Sequence, residues 1–203
     1  MTRPMPRATL GCRSHSGWAA LVALAGSPEA PQVIDRRRIE IADSGIRGSK
    51  QPYHAAEPME FPDAQAFLKR CERSTSRLAV QSLRGAIGDI RALGFQASDL
   101  GVTLGSGRPL PALKNVLSSH ALIHTAEGEF YRQEMLKAGK QCGLAVLGVK
   151  ERELYARASL QFHLPLDELE RRVSDLGKPI GPPWSQDQKC AALIAWLALA
   201  GPI

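Results

Sequence analysis

The chain has 203 residues, and its 26 Lys and Arg against 20 Asp and Glu give a formal net charge of +6 at pH 7. Hydrophobic residues make up 44% and charged residues 23%, which excludes a disordered or fibrous protein and predicts one domain over residues 1–203. The four cysteines are far apart and form no C-x-x-C pair, so we expect reduced thiols in a cytoplasmic protein. No apolar run approaches the roughly 18 residues of a membrane span, so no membrane insertion is expected.

The first predicted elements are two strands. Residues 18–25 are wholly apolar, whereas residues 32–42 alternate between apolar and charged side chains, and turn formers lie between them. This pattern is typical of a central strand paired with a more exposed neighbour. Arginines before the apolar run and the Ala-Leu-Ala-Gly at residues 23–26 also resemble a signal peptide. Because the apolar run has only 8 residues and begins as far into the chain as residue 18, we favour the hairpin.

A long helix follows a loop. Residues 43–59 are rich in turn formers, with room for a short strand around Tyr53. Asp63 is the predicted N-cap of a helix that ends at Gly94, because apolar residues recur between them at steps of three and four. The cations of this helix are Lys69, Arg70, Arg73, Arg77, Arg84 and Arg91. With residues 36–38, all arginine, they would attract phosphate backbones, although such residues are also typical of a solvated helix face.

The rest of the chain alternates strands with helices. Ser185 is the predicted N-cap of the last helix. Buried strands are predicted at residues 100–104 and 144–149, and helices at residues 111–117, 119–141, 151–162, 166–176 and 185–200, with a Gly- and Pro-rich connection at residues 177–184. The order predicts an α/β fold with a mixed sheet, which opens antiparallel, continues with parallel strands and carries helices on both faces.

This order resembles the ribonuclease H-like fold shared by the RuvC-type Holliday-junction resolvases. Residues 10–19, LGCRSHSGWA, resemble their opening strand, and residues 185–193, SQDQKCAAL, resemble their last helix, where an acidic residue precedes an Ala-rich segment. The resemblance implies a protein that acts on nucleic-acid phosphodiesters or nucleotides, with Mg²⁺ as its cofactor if it is a nuclease. Nucleic acid or another phosphate-containing ligand is the implied partner. Whether the chain forms a homodimer is left open.

The expected metal ligands are incomplete, however. Nucleases of this kind carry an aspartate on the first strand, where the present chain has Cys12 and Arg13. The resemblance makes Asp187 a catalytic acid, and Glu127 and Glu151 are candidates to complete the set, because a metal mechanism needs several converging oxygen ligands. The alternative is a nuclease-like scaffold without catalysis, which binds nucleic acid or a protein partner.

Several basic and hydroxyl side chains are candidates for a phosphate site. Ser106 and Arg108 lie in the loop after the strand at residues 100–104, where open α/β sheets place their ligands, although a plain tight turn explains the same residues. Lys189 follows Asp187 in the last helix and could bind a phosphate, although Asp187 could also serve only to complement the helix dipole.

A second group of candidates lies near the first predicted strand. Arg13 and His15 lie at the start of that strand and could replace an acidic metal site with a basic one suited to an anion. Tyr53 and His54 would lie nearby if the short segment pairs alongside. Polar residues are also common in an exposed turn before a central strand.

A third group lies on one helix face. His120, His124 and Glu127 are spaced i, i+4 and i+7, so they share one side of the predicted helix. Two histidines four residues apart can bind a transition metal or a ligand, with Glu127 as a third ligand or a general base. The alternative is an ordinary polar helix face.

Overall fold

The computed structural model describes residues 4–105 and 109–201. Its centre is a five-stranded mixed sheet in the order β3-β2-β1-β4-β5. The strands are β1 Arg7–His15, β2 Trp18–Ser27, β3 Ala30–Glu40, β4 Gln96–Leu104 and β5 Ala145–Lys150. β1 and β3 pair with β2 antiparallel, whereas β1, β4 and β5 run parallel, so the predicted mixed sheet is confirmed.

Helices cover both faces of this sheet, as the sequence predicts. They are α1 Pro52–Ala56, α2 Phe61–Ala92, α3 Leu113–Leu117, α4 His120–Gln141, α5 Leu154–Phe162, α6 Leu166–Asp175 and α7 Gln186–Ala200. α2 and α4 pack on one face, and α7, flanked by α5 and α6, packs on the other. No helix in the described part of the chain combines the length and apolarity that a bilayer crossing requires.

Three local predictions are wrong. The sheet contains a further strand, β1, before the predicted hairpin, so Arg13 and His15 lie at the end of the first strand and not at its start. The segment around Tyr53 forms the short helix α1 instead of a strand, because Pro52 provides the fixed φ that suits a first helical position. The long helix begins at Phe61 after the N-cap Glu60, so Asp63 lies in its first turn.

α7 is the helix that brings the end of the sheet and the candidate site together. Residues 190–199 of this helix are all buried. Glycine allows its backbone to approach the central strands: a Cβ at Gly11 of β1 would overlap the carbonyl oxygen of Ala191, and a Cβ at Gly101 of β4 would lie 2.7 Å from that of Ile194. Ser185 caps α7 through a capping box with Gln188, as the sequence predicts for the N-cap.

Candidate functional site

The carboxyl end of β1 faces the head of α7. Side chains alternate along a strand, so Thr9, Arg13 and His15 share one face of β1. Thr9 shows which face this is, because its hydroxyl donates to the carbonyl oxygen of Ala195 in α7 at 2.8 Å. Arg13 and His15 therefore extend toward the first turn of α7, where Asp187 lies.

Arg13 joins two carboxylates from different parts of the fold. Its Nε and Nη2 donate to the two carboxylate oxygens of Glu151 at 3.1 and 2.7 Å, a bidentate contact. Its Nη1 donates to Oδ1 of Asp187. Glu151 directly follows β5, and Asp187 lies in the first turn of α7, so a single guanidinium connects β1, the exit of β5 and the last helix. We call Arg13, His15, Glu151 and Asp187 the Arg13 cluster.

His15 completes this cluster on the side of the β1–β2 turn. Its Nε2 lies 2.8 Å from Oδ1 of Asp187. Its ring stacks on Trp18 with 4.3 Å between ring centroids, and the Arg38 guanidinium lies 3.8 Å from the centre of the Trp18 ring. The stack fixes the plane of the imidazole, so its contact with Asp187 is part of a packed arrangement.

The charges of the cluster stabilise one another. Burial acts to raise the pKa of Asp187, but hydrogen bonds from His15 and Arg13, together with the positive charge beside the carboxylate, hold that pKa below its usual range. The hydrogen bond to Glu151 is the main cause of a raised pKa for Arg13. At neutral pH the cluster therefore contains ionised Asp187 and a permanently charged guanidinium.

These charges predict how stability depends on pH. Because the pKa of Asp187 is lower in the folded chain, its contribution is fully present above the unfolded pKa and is lost as pH falls through the folded pKa. We therefore expect Asp187→Asn to flatten the acid limb of the unfolding free energy, measured by urea denaturation at a series of pH values. Ser185→Ala is the control, because it weakens the cap by about 1 kcal/mol and leaves the carboxylate in place. Parallel curves for wild type and Asp187→Asn would contradict the network.

The Arg13 cluster does not fit the Mg²⁺ expected of a nuclease. Mg²⁺ needs an octahedral shell of oxygen ligands around a free central position. Here Glu151 and Asp187 both direct carboxylate oxygens at Arg13, whose guanidinium lies between them. A cation at this position would have to displace the arginine, so we derive no metal-dependent step at this cluster.

Glu127 makes its contacts elsewhere. It is 4% exposed, and its Oε1 accepts from the backbone N–H groups of Tyr53 and His54 at 2.8 and 3.0 Å and lies 3.1 Å from Nδ1 of His54. Burial raises the pKa of Glu127, and these hydrogen bonds oppose the rise. Its hydrogen bonds thus tie α4 to α1, and its predicted catalytic role with Asp187 stays a prediction.

Three imidazoles meet beside Glu127. His120 and His124 lie on the first two turns of α4, and their Nε2 atoms are 3.0 Å apart. The ring of His54, from α1, lies 4.7 Å from the ring of His124 and 5.6 Å from that of His120. One nitrogen from each of the three lies within 4.8 Å of the other two. We call these residues the histidine cluster.

The remaining predicted site residues are Lys189, Ser106 and Arg108. Lys189 is half-buried in the first turn of α7, and it forms no salt bridge within the described ranges. Ser106 and Arg108 lie outside the described residues, so their predicted phosphate contacts stay predictions. His54, which the sequence grouped with Arg13 and His15 as a possible anion site, contributes instead to the histidine cluster. Its contact with Glu127 spans 73 residues, and its only local signal is its place two residues after Pro52.

Exposed arginines line a groove on the outer side of α2. Arg73, Arg77 and Arg84 border a shallow groove with Gln81 and Gln141, which we call the α2 groove. Arg77 makes a 3.3 Å contact with Asp43, whereas Arg73 and Arg84 form no salt bridge with any residue that the structure describes. Positive charge is therefore available there for an anionic ligand.

The three consecutive arginines of β3, unlike those of the α2 groove, all contact other residues of the protein. Arg36 donates to the carbonyl oxygens of Gly181 and Pro183 at 2.7 and 2.6 Å, which holds the connection before α7. Arg37 pairs with Asp35 and Asp89, and Arg38 pairs with Glu40. These contacts make α2 the more available source of positive charge.

No family model matches the sequence, and no curated protein matches it significantly. Solved structures do match. RuvC of T. thermophilus in complex with a Holliday junction substrate is similar at 10% identity and a TM-score of 0.50, over 95% of this chain and 93% of that one. Another Thermus thermophilus RuvC structure gives 11% identity, a TM-score of 0.48 and the same coverage. An Aquifex aeolicus Ppx/GppA phosphatase gives 12% identity and a TM-score of 0.41, over 79% of this chain and 41% of that one. With the sheet order, the first match shows a ribonuclease H-like fold.

Proposed function

We propose that this protein is a nuclease-like scaffold that binds nucleic acid through the α2 groove and does not cleave it at the Arg13 cluster. The observation that carries the proposal is the guanidinium of Arg13, which pairs with both Glu151 and Asp187. The carboxyl edge of the sheet thereby contains a built, charge-neutralising network in the region where the resemblance implied a metal site.

Elementary chemistry argues against hydrolysis by this network. A guanidinium has donors but no lone pair for a proton and no vacant coordination position for water, so it replaces the charge of a metal ion but not its Lewis acidity. The lowered pKa of Asp187 also makes this carboxylate a weak general base near neutral pH. The cluster is therefore suited to holding β1, β5 and α7 together.

The α2 groove supplies the binding surface in this proposal. The guanidinium fork matches the oxygens of a phosphate, and Arg73, Arg77 and Arg84 lie along one side of one helix. At about 1.5 Å per residue, the span from Arg73 to Arg84 is about 16 Å, enough to contact several phosphates of one backbone. A protein of the same fold binds a Holliday junction substrate, which supports nucleic acid as the ligand class by analogy of fold.

The test is fluorescence anisotropy with labelled single-stranded, duplex and branched DNA over a range of salt concentrations. We expect wild type to bind at low salt, and Arg73→Ala/Arg77→Ala/Arg84→Ala to bind at least about tenfold more weakly. The variant should also lower the slope of log affinity against log salt by roughly 2 to 3, because each lost phosphate contact removes about 0.7 to 0.9 from that slope.

The matched control removes the same charge from another surface. Arg152→Ala/Arg171→Ala/Lys178→Ala takes three exposed cations from the region of α5, α6 and the following turn. It should keep near wild-type affinity and salt slope. An equal loss in both triple variants would contradict a role for the α2 groove. Failure of wild type to bind any of the DNAs at low salt would overturn the proposal and favour a protein partner.

A further inference from the structure

We propose that the histidine cluster is a binding site for one divalent transition-metal ion, with Zn²⁺ as the preferred ion and His54, His120 and His124 as its ligands. Nothing in the proposed binding of nucleic acid requires this site, and the two proposals rest on different parts of the molecule.

The positions of the nitrogens support a shared ion. Zn²⁺ binds histidine nitrogen at about 2.0–2.1 Å, so two nitrogens of a tetrahedral site lie about 3.3–3.4 Å apart. The Nε2 atoms of His120 and His124 are 3.0 Å apart, and all three imidazoles offer a nitrogen within 4.8 Å of the others. Small side-chain rotations are enough to place all three nitrogens around one ion.

The backbone keeps these nitrogens together. His120 and His124 are four residues apart on the 22-residue helix α4, so they project from successive turns on one face. His54 comes from α1, which packs against both α2 and α4. Two ligands on one rigid helix and a third from a helix packed on it limit the conformational cost of forming the site.

Glu127 has the position of a residue that orients a metal-binding histidine. It lies one turn after His124, and its Oε1 is 3.1 Å from Nδ1 of His54. When Nδ1–H donates to this carboxylate, the lone pair of His54 is on Nε2, which is then the free ligand atom. Oε2 of Glu127 is buried and has no hydrogen-bond partner among the described residues. The buried negative charge also favours a cation beside it. Glu127 is thus a positioning residue in this proposal.

The donor set selects the class of ion. Three imidazole nitrogens suit Zn²⁺ and neighbouring late transition metals, whereas Mg²⁺ and Ca²⁺ prefer oxygen ligands. His120 and His124 are exposed, so the fourth position of a tetrahedral ion would face solvent and accept a water molecule or an anionic ligand. Three protein ligands and one open position are typical of zinc sites that bind an exchangeable ligand.

The test is isothermal titration of the full-length, chelator-treated protein with ZnCl₂, with MgCl₂ as a comparison, followed by the visible absorption spectrum of the Co²⁺-loaded chain. We expect one Zn²⁺ per chain, no comparable Mg²⁺ binding at these residues and a Co²⁺ spectrum of tetrahedral type. His124→Ala should weaken Zn²⁺ binding by about 100-fold or more, and Glu127→Gln by about 10- to 100-fold.

His163→Asn is the matched control, because His163 is an exposed histidine with a φ of 53°, and asparagine tolerates that backbone conformation. Its Zn²⁺ affinity should equal that of wild type. Circular dichroism in chelator should show all three variants folded; if Glu127→Gln is not, His120→Ala replaces it as the second variant. Absence of a stoichiometric Zn²⁺ site, or equal weakening by His163→Asn and His124→Ala, would overturn the proposal. Either result leaves the DNA-binding measurements unaffected.

Discussion

Arg13→Ala is expected to lower the free energy of unfolding by about 3 kcal/mol at neutral pH. Removing one partner of a buried ion pair leaves the other charge uncompensated, which typically costs about 3–5 kcal/mol, and partial exposure of Glu151 reduces this cost through solvent screening. Here one guanidinium serves two carboxylates, Glu151 and Asp187, so its loss leaves two negative charges facing one another. Urea denaturation of wild type and variant measures the difference.

Repeating the Arg13→Ala substitution in a second mutant background separates the loss of its charge from the loss of its packing. When Glu151→Gln and Asp187→Asn are both present, adding Arg13→Ala should cost much less, because no carboxylate is then left without a partner. Arg171→Ala is the control, since Arg171 pairs with Glu168 on an exposed helix face, where such contacts contribute less than about 1 kcal/mol. The same loss from Arg13→Ala in both backgrounds would show that the arginine acts through packing alone.

Gly11→Ala is expected to destabilise the protein by more than about 3 kcal/mol, because overpacking of a close-packed core costs about 1–3 kcal/mol even where flexible side chains can move. At Gly11 the added Cβ would collide with the backbone of α7. It would overlap the carbonyl oxygen of Ala191 and lie 2.8 Å from the backbone nitrogen of Ala195. Neither atom can rotate away, so α7 as a whole must shift. Thermal and urea denaturation check the effect.

The control for this prediction is another glycine with opposite surroundings. Gly85 is exposed in the middle of α2, and a Cβ there would meet nothing within 4 Å. Gly85→Ala should therefore stabilise the chain by about 0.5–1 kcal/mol through helix propensity. If Gly11→Ala is tolerated as well as Gly85→Ala, α7 does not lie as close to β1 as the structure places it.

Local pattern predicted most of the fold because periodicity reports burial directly. The apolar strands β2 and β4 and the long stripe of α2 are readable from spacing alone, and their alternation predicted the mixed sheet. The residue pattern does not predict β1, because Thr9, Arg13 and Ser14 interrupt its apolar positions, although the resemblance of residues 10–19 to an opening strand points to it. Thr9 is nevertheless fully buried, because its hydroxyl donates to α7, and that partner is distant in sequence.

The candidate sites could be predicted only in part. Parallel strands exit at one edge, so a meeting of Glu151, Asp187 and the end of β1 followed from the expected topology. The sequence offered Arg13 as a group for an external anion, whereas the structure shows it bound to those two acids. That contact depends on whether the side chain of Arg13 is long enough to reach from β1 to the end of β5 and to α7, which the sequence does not show. The sequence groups His54 with Arg13 and His15 and not with the histidines of α4, because its contact with α4 depends on how α1 packs, which no local pattern reports.

The most direct test of the central claim is a cleavage assay. Wild type, Asp187→Asn and Arg13→Ala are incubated with single-stranded, duplex and branched DNA in Mg²⁺ or Mn²⁺, at salt concentrations where binding is measured. If Arg13 has taken the place of a metal ion, wild type binds the DNA and releases no product above the level of Asp187→Asn. Metal-dependent cleavage by wild type that Asp187→Asn abolishes would contradict the account.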